Sequence, residues 1–160
     1  MVTIIGPSKK PNDAELDGSG WVALGMIGAL FLVVGMTDLI LAWVPPRFGN
    51  ADWEFGTVSA MFNNLPVPAM GIGLGLAGAT GVRSAKGSRA VSLVAGVLAV
   101  WCLLAAVFFG LTLPLALGSI TEPGPRQALM TSMTKTIVQF VAYTAFFVWA
   151  FRFAWSRFRA

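Results

Sequence analysis

The sequence predicts an all-α integral membrane protein, a bundle of four transmembrane helices with both termini in the cytoplasm. The chain has 160 residues, of which 56% are hydrophobic and 11% charged, and its mean hydropathy is +0.76. Soluble domains carry about 25% charged residues, so this composition does not supply a water-facing surface. It also excludes disorder, which requires low hydrophobicity and high net charge. No alternation typical of a membrane barrel is present, so the spans are expected to be helices.

Four stretches are long enough to cross a bilayer, which takes about 20 mostly apolar residues. The first ends at Pro45 and Pro46, because neither residue can donate a backbone hydrogen bond. Uncharged runs between Glu54 and Arg83, and between Arg89 and Glu122, contain the next two. The predicted spans are 21–44, 57–80, 90–117 and 127–156. Residues 1–20 are expected to form a polar cytoplasmic arm, and 21–160 the transmembrane domain.

Positive charge in the loops predicts the orientation, since cytoplasmic loops are enriched in Lys and Arg. The side expected to face inward carries Lys9, Lys10, Arg83, Lys86, Arg89, Arg152, Arg157 and Arg159. The opposite loops carry only Arg47 and Arg126. We therefore expect N-in and C-in topology, in a bacterial cytoplasmic (inner) membrane. This bias, with anionic headgroups as partners, accounts for the pI of about 9.9 without nucleic-acid binding.

The residue inventory excludes several kinds of site. There is no histidine, and Cys102 is the single cysteine. Histidine-ligated haem and zinc, a Ser-His-Asp triad and an internal disulfide are therefore excluded. We expect no catalytic residue, no metal and no cofactor.

Polar side chains inside the spans are the most informative residues, because each is costly in hydrocarbon unless it finds a partner. Counting from the span ends places Asp38, Asn63, Asn64 and Lys135 at a similar depth in the outer half of the bundle. Gln139 follows Lys135 by one helical turn. We predict an ion pair between Asp38 and Lys135, with Gln139 and one of the asparagines completing the hydrogen bonds. The plainest role is interhelical bonding; the alternatives are a solute or ion site and contact with a partner.

The second span contains a predicted helix break and a close-packing face. Pro66 and Pro68 remove two backbone donors and should kink or unwind the helix. Such breaks line the sites of transporters, although a plain packing kink is commoner. Small residues allow helices to approach closely, so we expect spans one and two to pack through four glycines. These are Gly28, Gly35, Gly71 and Gly75.

Large aromatic side chains mark candidate contacts with lipid or a partner. Trp53 and Phe55 lie in the outer segment before the second span, and Trp149 and Trp155 lie near the inner end of the fourth. Aromatic residues and arginine are enriched both at membrane interfaces and in protein interfaces.

Three functions fit these features. The first is a non-catalytic accessory subunit that packs against a larger membrane complex, energy-converting (for example respiratory or photosynthetic) or transporting, with membrane lipids and other integral subunits as partners. The alternative is a small oligomeric transporter or channel that uses the polar cluster. An enzyme acting on lipid or quinone is the weakest, since only Asp38, Lys135 and Tyr143 would supply buried acid–base groups.

Overall fold

The computed structural model describes residues 18–119 and 123–159, and in these ranges the chain forms helices and no strand. The helices are α1 (Gly18–Leu41), α2 (Ala51–Asn64), α3 (Pro66–Gly81), α4 (Ala85–Ser119) and α5 (Pro123–Arg159). Three segments are long and apolar enough to cross a membrane: α1, Ala85–Pro114 within α4, and Arg126–Arg157 within α5. The all-α membrane class is thus supported. The predicted arm lies outside the described residues, except for its last three, which begin α1.

The second predicted span is two helices, α2 and α3, separated at Leu65. Pro66 begins α3, and the missing proline donors interrupt the hydrogen-bond ladder where the sequence predicts a break. Leu65 itself keeps helical dihedral angles, and its carbonyl accepts from Ala69 N at 3.0 Å. The chain therefore continues in a helical path through the break.

α2 begins at Ala51, six residues before the predicted span, so half of the predicted outer loop is helical. The cause is a local cap. The side chain of Asn50 accepts from Trp53 N at 3.0 Å, which satisfies one of the free donors at a helix start. The Glu54 carboxylate also accepts from Gly49 N at 2.8 Å and ties the loop to the first turn.

The bundle contains two pairs of closely packed helices: α1 packs mainly on α3, and α4 packs mainly on α5. The two pairs are joined because α2 and α3 each contact both α4 and α5. Fully buried side chains from all five helices fill the centre. The largest of them are Phe62, Phe147, Leu39, Met61 and Leu65.

Glycines let α1 and α3 approach until their backbones touch. A Cβ built on Gly28 would lie 2.6 Å from Gly75 N and 2.9 Å from Gly71 O. A Cβ on Gly35 would lie 2.5 Å from the Cδ atom of Pro68. The four glycines identified in the sequence therefore lie at the α1–α3 interface, as close packing of small residues requires. Gly75 is the loosest of them, because its Cβ would meet only Val91 Cγ2, at 3.2 Å.

A tight turn joins α3 to α4. Arg83 adopts a φ of 53°, in the left-handed region that disfavours residues with a Cβ. Ser84 N donates to Ala79 O at 2.9 Å, which closes the end of α3. A glycine at position 83 would adopt this conformation without steric cost.

Candidate functional site

Asn63 and Gln139 form the polar contact that links α2 to α5. Gln139 Nε2 donates to Asn63 Oδ1 at 3.3 Å, and the bond lies on the surface of the chain. Beside it, the rings of Phe62 and Phe140 meet edge to face at 6.2 Å between centroids. The hydrogen bond expected between one asparagine and Gln139 is thus present. Asn64 is half-buried and is not part of it.

Asp38 and Lys135 are not paired, so the predicted ion pair is absent. Both side chains are exposed, and no contact joins α1 to α5 within residues 18–119 and 123–159. The physical reason is the order of the helices around the bundle, since α3 lies between α1 and α5. Within the described residues, Asp38 and Lys135 each lie on a membrane-length helix and have no partner of opposite charge.

Four aromatic rings close the end of the bundle where α1 connects to α2. Trp43 contacts Trp53 at 6.1 Å and Phe108 at 5.9 Å between centroids, and Phe48 contacts the same two rings at 5.6 and 6.5 Å. Phe55 packs on Phe109 of α4 at 5.5 Å. Trp53 and Phe55, predicted as partner or lipid contacts, are therefore largely engaged with rings of their own chain.

The register of α4 and α5 sets Lys135 at about the level of this ring cluster. Ser92 Oγ donates to Phe151 O at 3.3 Å, which sets the register of the antiparallel helices α4 and α5. Counting sixteen residues towards the ring cluster on each helix, the same register sets Lys135 at about the level of Phe108. The long side chain can thus reach the polar interface.

Asp38 lies deeper than Lys135. It precedes Trp43 by five residues, so it is about 7 Å inside the level of the rings. Gly35 of α1 contacts Pro68 of α3, and Asp38 and Asn63 both lie on the outer side of that contact. Its short side chain cannot extend to the interface as a lysine can.

The exposed side of α2 and α3 forms a surface between α1 and α5. Because α1 and α5 both flank α3 without packing on each other, the residues between them remain uncovered. Exposed positions recur there at helical spacing. We call this surface the open face; it consists of Asn63, Pro66, Met70 and Gly73. Pro66 of the helix break therefore lies on the open face, whereas Pro68 is buried against α1.

The inner part of α5 carries a ladder of stacked rings along the helix. Trp149 stacks on Phe153 at 5.5 Å, and the guanidinium of Arg157 lies 5.3 Å from the Phe153 ring centroid. Trp155 stacks on Phe151 at 5.8 Å. Trp149 is 55% exposed, so its outer ring face is available to lipid or to another protein.

Arg152 is the residue that sequence reasoning undervalued. The sequence predicts a cytoplasmic charge near the end of the fourth span, whereas the structure places Arg152 at the rim of a large apolar groove along α4. Only the relative register of α4 and α5 reveals this position, and the sequence does not contain that register in readable form.

The HpsJ-like protein family matches residues 21–150, which is most of the chain and nearly all of the described helices. The chain belongs to the HpsJ-like protein family. No curated protein matches it. No solved structure matches it either.

Proposed function

We propose that this HpsJ-like protein is a non-catalytic accessory subunit, and that a transmembrane helix of a larger complex seats on its open face. The observation that carries the proposal is Asp38. Its carboxylate is exposed on a membrane-length helix and has no opposite charge in the described chain.

The energetic argument rests on the cost of that charge. A carboxylate at the centre of a membrane helix costs roughly 2.5–3.5 kcal/mol on insertion scales, and less towards the ends. At about 7 Å from the interface, a short aspartate retains part of this cost. A cation or hydrogen-bond donor on a neighbouring helix would offset it. The Asn63–Gln139 pair lies on the same outer side of the Gly35–Pro68 contact and offers further polar partners.

The shape of the open face suits a helix. A Cβ built on Gly73 meets no atom within 4 Å, so the backbone of α3 is open to close approach there. Small residues serve this purpose at helix interfaces in membranes. Met70 beside it is 57% exposed, and its flexible thioether adapts to different neighbours.

Solute transport through a single copy has less support. Phe62, Leu65 and Phe147 are fully buried in the bundle centre, and the Asn63–Gln139 bond lies on the surface instead. A transport pathway would therefore have to form between copies of the chain, and a homo-oligomer is the outcome that would favour it.

We further propose four spans with both termini in the cytoplasm of a bacterial inner membrane. α2 and α3 together act as one broken span, since the chain keeps a helical path through Leu65. The distribution of Lys and Arg supports the orientation.

Affinity purification from the native membrane tests the proposed docking. Gly73→Leu adds a bulky side chain to the open face, and Gly110→Leu is the matched control, since both glycines have open space around their Cβ positions. We expect Gly73→Leu to reduce recovery of integral membrane partners at least severalfold, with Gly110→Leu unchanged. Asp38→Asn should reduce recovery as well, whereas the neighbouring Thr37→Val should not. Equal recovery with all four variants would refute the open face as the docking surface.

A further inference from the structure

An apolar groove of about 1340 Å³ runs along the exposed surface of α4, parallel to the helix. Leu93 lies at one end and Phe108 at the other, a distance of about 22 Å along the helix. Val97 and Val100 line its floor, and no acidic side chain is among its lining residues. None of those residues belongs to α2 or α3, so the groove is separate from the open face.

One cation lies at the Leu93 end of this groove. Arg152 of α5 lines it, and the Ser92–Phe151 hydrogen bond places Arg152 about level with Val91, two residues from Leu93. The guanidinium has no carboxylate partner in the part of the chain that the structure describes.

Arg152 also lies about two helical turns inside the end of the bundle, since its level on α4, Val91, is six residues after Ala85. Val91 of α4 contacts the Gly75 position of α3, and Gly75 in turn contacts Gly28 of α1. Gly28 is seven residues from Trp21, near the start of α1, a distance of about 10 Å. An arginine at this depth extends its side chain towards the nearer headgroup layer, and it needs an anion there.

We propose that the groove binds an anionic phospholipid, with the lipid phosphate on Arg152 and the acyl chains lying along α4. A guanidinium presents paired donors that match the oxygens of a phosphate. Half of a hydrocarbon core of about 30 Å is the length of one leaflet's acyl chains, which corresponds to about ten residues of helix. The acyl chains therefore cover the part of the groove nearest Arg152, and the rings at the far end meet the opposite leaflet.

Lipid binding by the purified full-length chain tests this assignment. The detergent-solubilised protein is titrated with phosphatidylglycerol and with phosphatidylcholine of the same acyl chains, and bound lipid is counted by native mass spectrometry. Both lipids offer a phosphate to the guanidinium, but the choline cation of phosphatidylcholine offsets that attraction, so we expect a preference for phosphatidylglycerol of about tenfold. Arg152→Gln should abolish the preference. Arg157→Gln is the matched control, since its guanidinium lies over Phe153 and outside the groove.

A second pair of variants tests the acyl-chain part of the groove. Val100→Trp fills the groove and should lower the occupancy of both lipids, whereas Val33→Trp, on an α1 surface that is 66% exposed, should lower neither. Protection of the buried Cys102 from maleimide shows that each variant is folded. Three results would overturn the proposal: equal affinity for both lipids, a preference that survives Arg152→Gln, or an equal loss with Arg157→Gln. A photo-crosslinker at position 100 that labels protein in preference to lipid in native membranes would overturn it too.

Discussion

Replacement of Gly28 by alanine should loosen α1 from the bundle, because the two helices meet there through their backbones. The added methyl group would lie 2.6 Å from Gly75 N and 2.9 Å from Gly71 O. These are backbone atoms on a neighbouring helix, so no side-chain rotation relieves the contact. α1 must therefore move away from α3 along its length.

The expected cost is about 1–3 kcal/mol, the usual range for inserting a methylene into a close-packed interface. Gly25→Ala is the matched control on the same helix. Its Cβ would meet nothing within 4 Å, so alanine there adds no clash and gains some helix propensity. The two substitutions are chemically identical, and only the distance to α3 distinguishes them.

Unfolding by sodium dodecyl sulfate measures the difference with two probes. Tryptophan fluorescence includes Trp21 in the first turn of α1 and Trp43 two residues beyond its end, and maleimide labelling of the single cysteine, Cys102, reports opening of the core around α4. In Gly28→Ala we expect the fluorescence transition to move to lower detergent concentration. The Cys102 transition should move less, because α1 packs on α3 and α2 and not on α4.

Equal midpoints for Gly28→Ala and Gly25→Ala would refute the close α1–α3 contact. Equal shifts of both probes in Gly28→Ala would retain the contact but refute the idea that α1 loosens separately from the α4–α5 pair.

Three further predictions follow from the same geometry. Gly71→Ala should destabilise more than Gly75→Ala, since the first clashes with the backbone of α1 and the second meets only a methyl group of Val91; detergent-unfolding midpoints compare them. The effects of Asp38→Asn and Lys135→Met on stability should add within about 0.5 kcal/mol, because the two residues are not in contact, and a double-mutant cycle that shows stronger coupling would restore their ion pair. Arg83→Gly should stabilise the fold by about 1 kcal/mol in the same assay, and any loss of stability would contradict the left-handed turn conformation.

Features that depend on local chemistry were predictable from the sequence. Proline cannot donate a backbone hydrogen bond, so the break at Pro66 could be read directly, and uncharged runs located the apolar helices. The glycine faces of α1 and α3 were also predictable, because a spacing of four or seven residues places small side chains on one side of a helix.

Features that depend on the order of helices around the bundle were not predictable. Asp38 and Lys135 carry opposite charges, and counting residues from the span ends gives them a similar depth in the membrane. In the structure, however, α3 separates their helices. The register of α5 with α4, which sets Lys135 at about the level of Phe108, also depends on packing. The early start of α2 did have a readable signal, since asparagine at position 50 is a favoured helix cap.

Interface aromatics illustrate a further limit. Trp53 and Phe55 are of the residue types that are enriched at docking surfaces. The same types also form clusters of rings within one chain, as these two residues do. The direction in which the two side chains point decides between a docking surface and an internal ring cluster. That direction depends on the loop before α2, which the hydrogen bond from Gly49 N to the Glu54 carboxylate holds against the helix. The groove along α4 carries no motif at all, because apolar side chains at helical spacing look the same whether they meet lipid tails or line a specific site.

The mass of the protein extracted gently from its native membrane tests the central claim most directly. Native mass spectrometry of the wild-type chain should find the 16.9 kDa subunit in a stoichiometric assembly with at least one different integral membrane protein. The same extraction with Gly73→Leu should release the chain from that assembly. A wild-type chain recovered only as a monomer or as a homo-oligomer would contradict the accessory-subunit proposal.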